Sequence, residues 1–372
     1  MEKVPDMAPE PRRTVLFDVL SKAGAEFVEW EGWLWADHFG DPRREHHAVR
    51  RDVGVWDLSP LRKWEFHGPH AVHAADYIFT QDIRGLERGQ LRYSPFCDGE
   101  GKMVGDATVF KLAEGRLWTF TARDGDGDHF REAASGFDVA IRCITDELAC
   151  LQIQGPGARE FSSGFVRDID RLPFFRFWPE PLSVADVSCW VARIGYSGEL
   201  GYELFCPSRQ AERLWDALLA SRGMPYGLAA AETLRIEAGM ILIGRDYLPY
   251  RSSPYDVSLD RLVRLDKDRF IGKEALAAIA ASPPRRLITI VVESDTTMPP
   301  NGTPILKAGS TVGMVTSSCW SPTYGTVLAL GIVERAAAEE GGRVQIGATA
   351  GQLSGTMRTA PMHDPQRTRA HS

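Results

Sequence analysis

Ser282–Ser318 reads SPPRRLITIVVESDTTMPPNGTPILKAGSTVGMVTSS. Past Ala281 the Pro283–Pro284 pair and Arg285–Arg286 interrupt a helical pattern, and then LITIVV (Leu287–Val292), a Pro- and Gly-rich loop and VGMVTSS (Val312–Ser318) follow as short β-type runs. An all-β domain is therefore predicted from about residue 284. Upstream the pattern is mixed. Val72, Ala75, Ile78 and Phe79 recur at helical spacing between Gly68 and Thr80, and beyond Leu91 the chain changes to short runs punctuated by glycine. The β-branched and aromatic stretches at 117–121, 151–154, 187–194 and 202–206 read as strands. After Ser208 the residues Ala211, Leu214, Trp215, Leu218 and Leu219 make one helical stripe that Gly223 stops, and a second helix is predicted from Leu228 to Ala238. The fold class is thus α+β with a small C-terminal β-barrel.

Composition narrows the function. A chain of 372 residues exceeds one small core, so several packed domains are expected. The 17 Phe, 10 Trp and 9 Tyr supply the apolar surface for them. With 50 acidic against 43 basic residues the net charge is −7, which disfavours non-specific nucleic-acid binding. The six cysteines show no CxxC pair and no metal-finger spacing, so free thiols are predicted; Cys143, Cys150, Cys189 and Cys206 stand in or beside apolar runs and read as small hydrophobes. No secretory h-region opens the chain and no run suits a membrane span, so a cytoplasmic protein is expected, a processed mitochondrial matrix form being the alternative.

Three local patterns invite ligand readings that their own residues resist. Gln154-Gly155-Pro156-Gly157 follows a predicted strand, but Arg159 and Glu160 stand where a dinucleotide loop needs its last glycine, so it reads as a turn. Asp124, Asp126 and Asp128 open like a calcium loop, yet His129 and Ser135 occupy the positions of its glycine and glutamate; an exposed turn or a ligand-facing acidic loop is expected. His46 and His47 are adjacent on a predicted helix, RREHHAVRRD, so they diverge by about 100° and share no metal. Glu45, Arg50 and Arg51 read there as an ordinary solvated face.

Several blocks, in order, resemble the glycine cleavage T-protein (aminomethyltransferase) and its folate-dependent demethylase relatives. They are EGW (Glu31–Trp33), EHHAVRRDVGVWDLSP (Glu45–Pro60), RYSPFCDGEGKMVGDATVFKL (Arg92–Leu112), LQIQGP (Leu151–Pro156), GYSGELGYELFCP (Gly195–Pro207), TLRIEAGM (Thr233–Met240), FIGKEAL (Phe270–Leu276) and GMVTSSCWSPTYGTVLALG (Gly313–Gly331). The resemblance covers residues 14 to 355. It implies a three-domain cloverleaf: a folate-binding region over 14–283, made of 14–58 plus 148–283 interleaved with 59–147, then a barrel over 284–360. The ends, 1–13 and 361–372, are polar and expected to fray.

The resemblance also implies tetrahydrofolate as the cofactor, no metal, and a small-molecule methyl or methylene donor, with a lipoyl carrier protein as an alternative partner and neither nucleic acid nor membrane. Asp106 matches the family's carboxylate after the glycine turn, beside the reacting nitrogens, and is the catalytic candidate: a carboxylate in a partly dry channel can orient an amine and take its proton. Glu203 matches the glutamate that grips the pterin, a role that needs an acceptor for paired N–H groups. Tyr93 matches a family tyrosine near the pterin and its one-carbon edge, Tyr196 and Glu199 are expected to shape the pocket, Arg235 to contact folate or form a structural ion pair, and Trp320 or Tyr324 to border the folate tail. Two departures bear on the donor. Gly105-Asp106 replaces two adjacent aspartates, and Ala231-Glu232 replaces an Arg-Asp pair whose bidentate donor alanine cannot supply. A demethylase-type transferase is therefore expected, with a lipoyl-dependent T-protein and a non-catalytic folate-binding module as alternatives.

Overall fold

A computed structural model describes residues 10–347 and 351–372. Two antiparallel-rich sheets face each other, and a closed barrel packs beside them. The five-stranded sheet runs in the order Leu91–Cys97, Met103–Ala113, Arg116–Thr121, Arg62–His67, Ala140–Cys143. The six-stranded sheet runs Leu182–Val184, Val187–Ala192, Gly201–Pro207, Leu148–Gln154, Gly54–Asp57, Met224–Pro225, antiparallel throughout except for the last pair. The barrel closes in the order Arg285–Val292, Thr326–Glu334, Ser310–Ser321, Pro304–Lys307, Arg343–Ile346, Leu353–Arg358. The mixed fold with a terminal barrel is as the sequence predicts.

Strand alternation sorts the side chains into layers. On the six-stranded sheet Val55, Leu151, Ile153, Val191 and Leu204 point outward to a core closed by the helices Ala158–Ser163 and Ala211–Ser221. On the five-stranded sheet Phe66, Phe96, Ala107 and Val109 point outward to the helices Ala71–Ile78 and Asp126–Ala133. The two inner faces share one aromatic core containing Trp35, Trp56, Phe110, Trp118, Phe120 and Phe205. Each such ring removes roughly 150–250 Å² from water, about 4–6 kcal/mol before entropy is charged against it. That shared core holds the two sheets in register, and Tyr93, Asp106 and Glu203 stand on their inner faces.

A tryptophan-rich hairpin, Glu26–Trp30 with Trp33–His38, completes the inner layer. Its ring contacts join Trp30 to Trp35 at 5.4 Å and Trp35 to Trp56 at 5.7 Å between centroids. Of the ends expected to fray, residues 1–9 lie outside the described residues, and Arg12 bridges to Trp33 and pairs with Asp146 at 2.6 Å. Residues 361–372, also expected to fray, make contacts with distant parts of the chain. His363 N–H donates to the Glu237 carbonyl at 2.8 Å, His371 packs on Phe174 at 4.3 Å, and Arg159 and Arg193 both donate to the Ser372 carbonyl. Polar composition alone had suggested fraying because these anchors come from distant parts of the chain.

Candidate active site

The segment GYSGELGYE builds one wall. Glu203 sits opposite Gln152, and Gln152 opposite Trp56, so the three side chains form a ladder across neighbouring strands on the inner face. Gln152 donates from Nε2 to Glu203 Oε1 at 2.8 Å and accepts the Tyr226 hydroxyl at 2.8 Å on Oε1. Glu203 Oε2 meets no donor, and the carboxylate has no ion-pair partner among the described residues. Burial pushes Glu203 up to about 7, opposed by the Gln152 hydrogen bond and the Lys63 charge. A half-buried acceptor with a free oxygen suits a ligand that presents paired N–H groups.

Glycines make room for this wall. A Cβ at Gly201 would stand 1.7 Å from Gln154 Nε2, and one at Gly195 would stand 2.1 Å from it. Gln154 in turn accepts from Ser197, whose Oγ caps the Glu199 N–H at 3.1 Å, while Gly198 turns the chain at φ +80°. The turn thus places Tyr196 and Glu199. Their side chains, however, are engaged with protein: the Tyr196 hydroxyl donates to the Ile241 carbonyl at 2.7 Å, and Glu199 is ringed by Arg50 at 3.2 Å, His363 at 2.7 Å and Arg369 at 3.2 Å.

The opposing wall comes from the hairpin of Leu91–Cys97 and Met103–Ala113. Pro95 pairs with Asp106 and Tyr93 with Thr108, so Tyr93 and Asp106 are diagonal neighbours on the inner face. Tyr247, from the loop after the helix Leu228–Glu237, donates its hydroxyl to Asp106 Oδ1. Burial raises the Asp106 carboxyl above the usual range, while Tyr247, Tyr93 and the Arg123 charge act to lower it. Like Glu203, Asp106 has no cationic side chain within 4.0 Å among the described residues; the Arg123 guanidinium, whose charge acts on it, is taken by Asp126 at 2.9 Å and by the Val104 carbonyl at 2.7 Å.

Against the Ser197–Glu199 turn lies a buried ionic junction that local sequence did not disclose. The helix Pro42–Arg51 was expected to present a solvated face, but Glu45, His46 and Arg50 are buried. Arg50 donates to Glu237 at 2.9 Å, to the Ser197 carbonyl at 2.7 Å and to the Leu234 carbonyl at 3.0 Å. His46 bridges Thr233 at 2.7 Å and Thr323 at 2.8 Å, and burial with the Arg50 charge holds it neutral, lowered to about 2. His46 and His47 stand edge to face; no metal-holding cluster occurs among the described residues.

Arg235 is fully buried, and protein groups satisfy its guanidinium. It meets Glu232 through two hydrogen bonds of 2.9 and 2.6 Å, Ser317 at 2.7 Å, the Met240 carbonyl at 3.2 Å, and Asp246. Of the two readings the sequence left open, the geometry supplies the ion pair. The Glu232 that replaces an acidic family position is consumed in it. Trp320 and Tyr324 lie apart from both carboxylate walls: Arg43 stacks on Trp320 at 4.2 Å, and the exposed Tyr324 donates to the Met362 carbonyl at 2.8 Å.

The acidic loop is in part the exposed turn expected: Asp124 and Gly125 form an exposed turn, with Asp124 paired to Arg62, and Asp128 is exposed, while Asp126 is buried against Arg123 at the start of a helix. One cysteine expectation is corrected. Cys143 is exposed on an edge strand, whereas Cys150, Cys189 and Cys206 are buried as read; all six thiols are free. Tyr247, Gln152, Tyr226 and Arg50 were missed. Only Gln152 carried a usable signal, as a polar residue inside an apolar strand run.

The chain therefore combines two facing sheets, each with a half-buried carboxylate on its inner face, and a closed barrel. The profile described as the GCVT N-terminal domain matches residues 16–267, and that of the glycine cleavage T-protein C-terminal barrel domain matches 285–364. A probable aminomethyltransferase of Natronomonas pharaonis is 35% identical, over 87% of this chain and 90% of that protein. The aminomethyltransferase of Moorella thermoacetica is 35% identical, over 90% and 93%. A trimethylamine-oxide aldolase of Ruegeria pomeroyi is 33% identical, over 99% of this chain and 49% of that longer protein. The crystal structure of glycine cleavage system aminomethyltransferase T from Bartonella henselae superposes with a TM-score of 0.87 at 27% identity, covering 94% of this chain and 98% of the other. The chain belongs to the glycine cleavage T-protein (aminomethyltransferase) family and has its cloverleaf fold; it is an enzyme of the one-carbon transferase class. No helix among the described residues is long and apolar enough to cross a membrane.

Proposed function

We propose that this enzyme moves a methyl or methylene group from a small N-, O- or S-methyl donor to tetrahydrofolate. One observation carries the reading: Asp106 and Glu203, on the inner faces of the two sheets, are half-buried carboxylates that take part in no ion pair and are held by neutral side chains. Glu203, with Oε2 free, would accept paired N–H groups of the reduced pterin. Asp106 would face the reacting amine, orient it, take its proton and stabilise positive charge on the incoming carbon unit. Tetrahydrofolate, when bound, supplies the nucleophilic nitrogen. Alignment of the two reactants can lower the barrier by on the order of 7 kcal/mol, so a channel with one carboxylate suffices for the chemistry.

The small methylated donor is favoured by Ala231, which offers no bidentate cation, and by the use of Glu232 inside the Arg235 pair. The similarity to a trimethylamine-oxide aldolase along nearly the whole chain supports a methylated nitrogen compound. A second reading has equal standing: the relatives named aminomethyltransferase, aligned over most of their length, favour an aminomethyl-lipoyl carrier as donor. Calorimetric titration with tetrahydrofolate, followed by turnover on methylated amines, ethers, sulfonium compounds and an aminomethyl-lipoyl carrier, separates the two. Folate binding with no turnover on any donor would leave a binding module.

A further inference from the structure

The loop that delivers Tyr247 is fastened to the barrel, and through Tyr247 the barrel reaches Asp106. Asp246, the preceding residue, is fully buried. Its Oδ2 accepts from Arg235 and from the Leu242 N–H at 2.9 Å; its Oδ1 accepts from Thr316 at 2.6 Å and Ser317 at 2.8 Å. Two consecutive barrel residues reach the same carboxylate because a β-bulge interrupts the strand pairing between Val315 and Ser317. The loop is closed on itself as well, with Gly244 N–H donating to the Tyr247 carbonyl at 2.9 Å and Asp246 N–H to the Leu242 carbonyl at 2.8 Å. Tyr247 then has little freedom: its ring lies in the apolar cluster of Cys97, Met103, Tyr255 and Phe270, and its hydroxyl ends on Asp106.

We infer that Tyr247 is a positioning residue for Asp106, and that Arg235 and Asp246, anchored on the barrel by Ser317 and Thr316, fix its hydroxyl there. Arg235 thus acts on the site through a relay and not by touching the ligand. A phenol donating to an ionised carboxylate stabilises the charged form, so the relay sets how acidic Asp106 is. The other groups facing Asp106 are Tyr93 from its own sheet, Tyr196 from the opposite wall, and Arg123 with its Asp126 partner. Tyr93 acts on Asp106 without any link to Arg235, which makes it the internal control. The catalytic consequence of the relay rests on the role proposed above for Asp106; the relay itself does not.

The test is a carboxyl titration of the full chain carrying 13C-labelled aspartate, in which the Asp106 signal is identified by its loss in Asp106→Asn. Tyr247→Phe removes one hydroxyl and is expected to raise the Asp106 midpoint by about one unit, a tenfold weaker acid. Arg235→Lys should raise it in the same direction but add nothing further in combination with Tyr247→Phe, whereas it should add to Tyr93→Phe. Ser317→Ala takes the place of Arg235→Lys if the latter does not fold. A midpoint in Tyr247→Phe that coincides with the wild type overturns the inference, as does full additivity of Arg235→Lys with Tyr247→Phe. Normal turnover in Asp106→Asn would sink the proposed role of Asp106 and leave the relay standing.

Discussion

Arg50 and Glu237 meet at 2.9 Å with their side chains almost wholly out of solvent, one on the helix Pro42–Arg51 and the other on Leu228–Glu237. Around them the same Arg50 reaches Glu199, and Glu237 also accepts from Ser321 and Thr323 of the barrel. Charges in this setting hold together only as a set, because a buried ion without its partner keeps its full desolvation cost.

Arg50→Ala would leave Glu237 buried without its arginine, while Glu199 keeps His363 and Arg369. The expected loss is about 3–5 kcal/mol in denaturant unfolding, far above the 0–1 kcal/mol of an exposed pair such as Arg213 with Asp186. A change in the Arg50 variant no larger than that in Arg213→Ala would show the junction to be energetically unimportant.

Glu203 couples stability to pH. Its carboxyl is raised from 4.5 to about 7 in the folded chain, so between those values the folded state binds the proton that the unfolded state has released. Its contribution therefore favours folding at low pH and turns against it as pH rises toward and past 7. Glu203→Gln, which cannot ionise, should stabilise the ligand-free protein at pH 8 by on the order of 2 kcal/mol and hardly change it at pH 4. Melting temperatures of both proteins across that range test the sign; equal shifts at both ends would contradict it.

The two carboxylates should fail in different ways. Asp106→Asn is expected to lower turnover by at least a hundredfold while tetrahydrofolate affinity stays within about threefold. Glu203→Ala should weaken tetrahydrofolate binding by roughly tenfold or more with a smaller effect on turnover at saturation. Calorimetry and steady-state rates on the same preparations distinguish the outcomes; identical patterns in both variants would mean that the roles are not divided between the walls.

Gly201→Ala places a methyl group into Gln154, so Gln154 must leave the pocket between strands. Because Gln154 holds Ser197 and thereby the turn carrying Tyr196 and Glu199, the loss should spread beyond local strain. A destabilisation of about 1–3 kcal/mol is expected, together with weaker tetrahydrofolate binding. Unchanged binding would separate the turn from the site.

What the sequence disclosed depended on how far apart the interacting residues lie. The barrel was legible from a proline pair followed by β-rich runs, and the helix Ala211–Ser221 from a single apolar stripe, since both signals are local. Arg50 was not, because RREHHAVRRD looks like any charged helix until its partner 187 residues away is known. Tyr247 lies 141 residues from Asp106 in a loop without periodicity, so nothing nearby marks it. Arg235 shows a different limit: chemistry at its own position could not tell a ligand contact from an internal anchor.

The ladder that joins Trp56 to Gln152 and Glu203 makes an indole the immediate neighbour of the acidic wall, with Tyr226 5.5 Å from its ring. Occupation of that wall by an aromatic heterocycle would alter the light emitted by this tryptophan, so the molecule carries its own optical reporter. Comparing emission before and after substitution of Trp56 by phenylalanine would let ligand arrival be timed in a stopped-flow instrument without any attached dye.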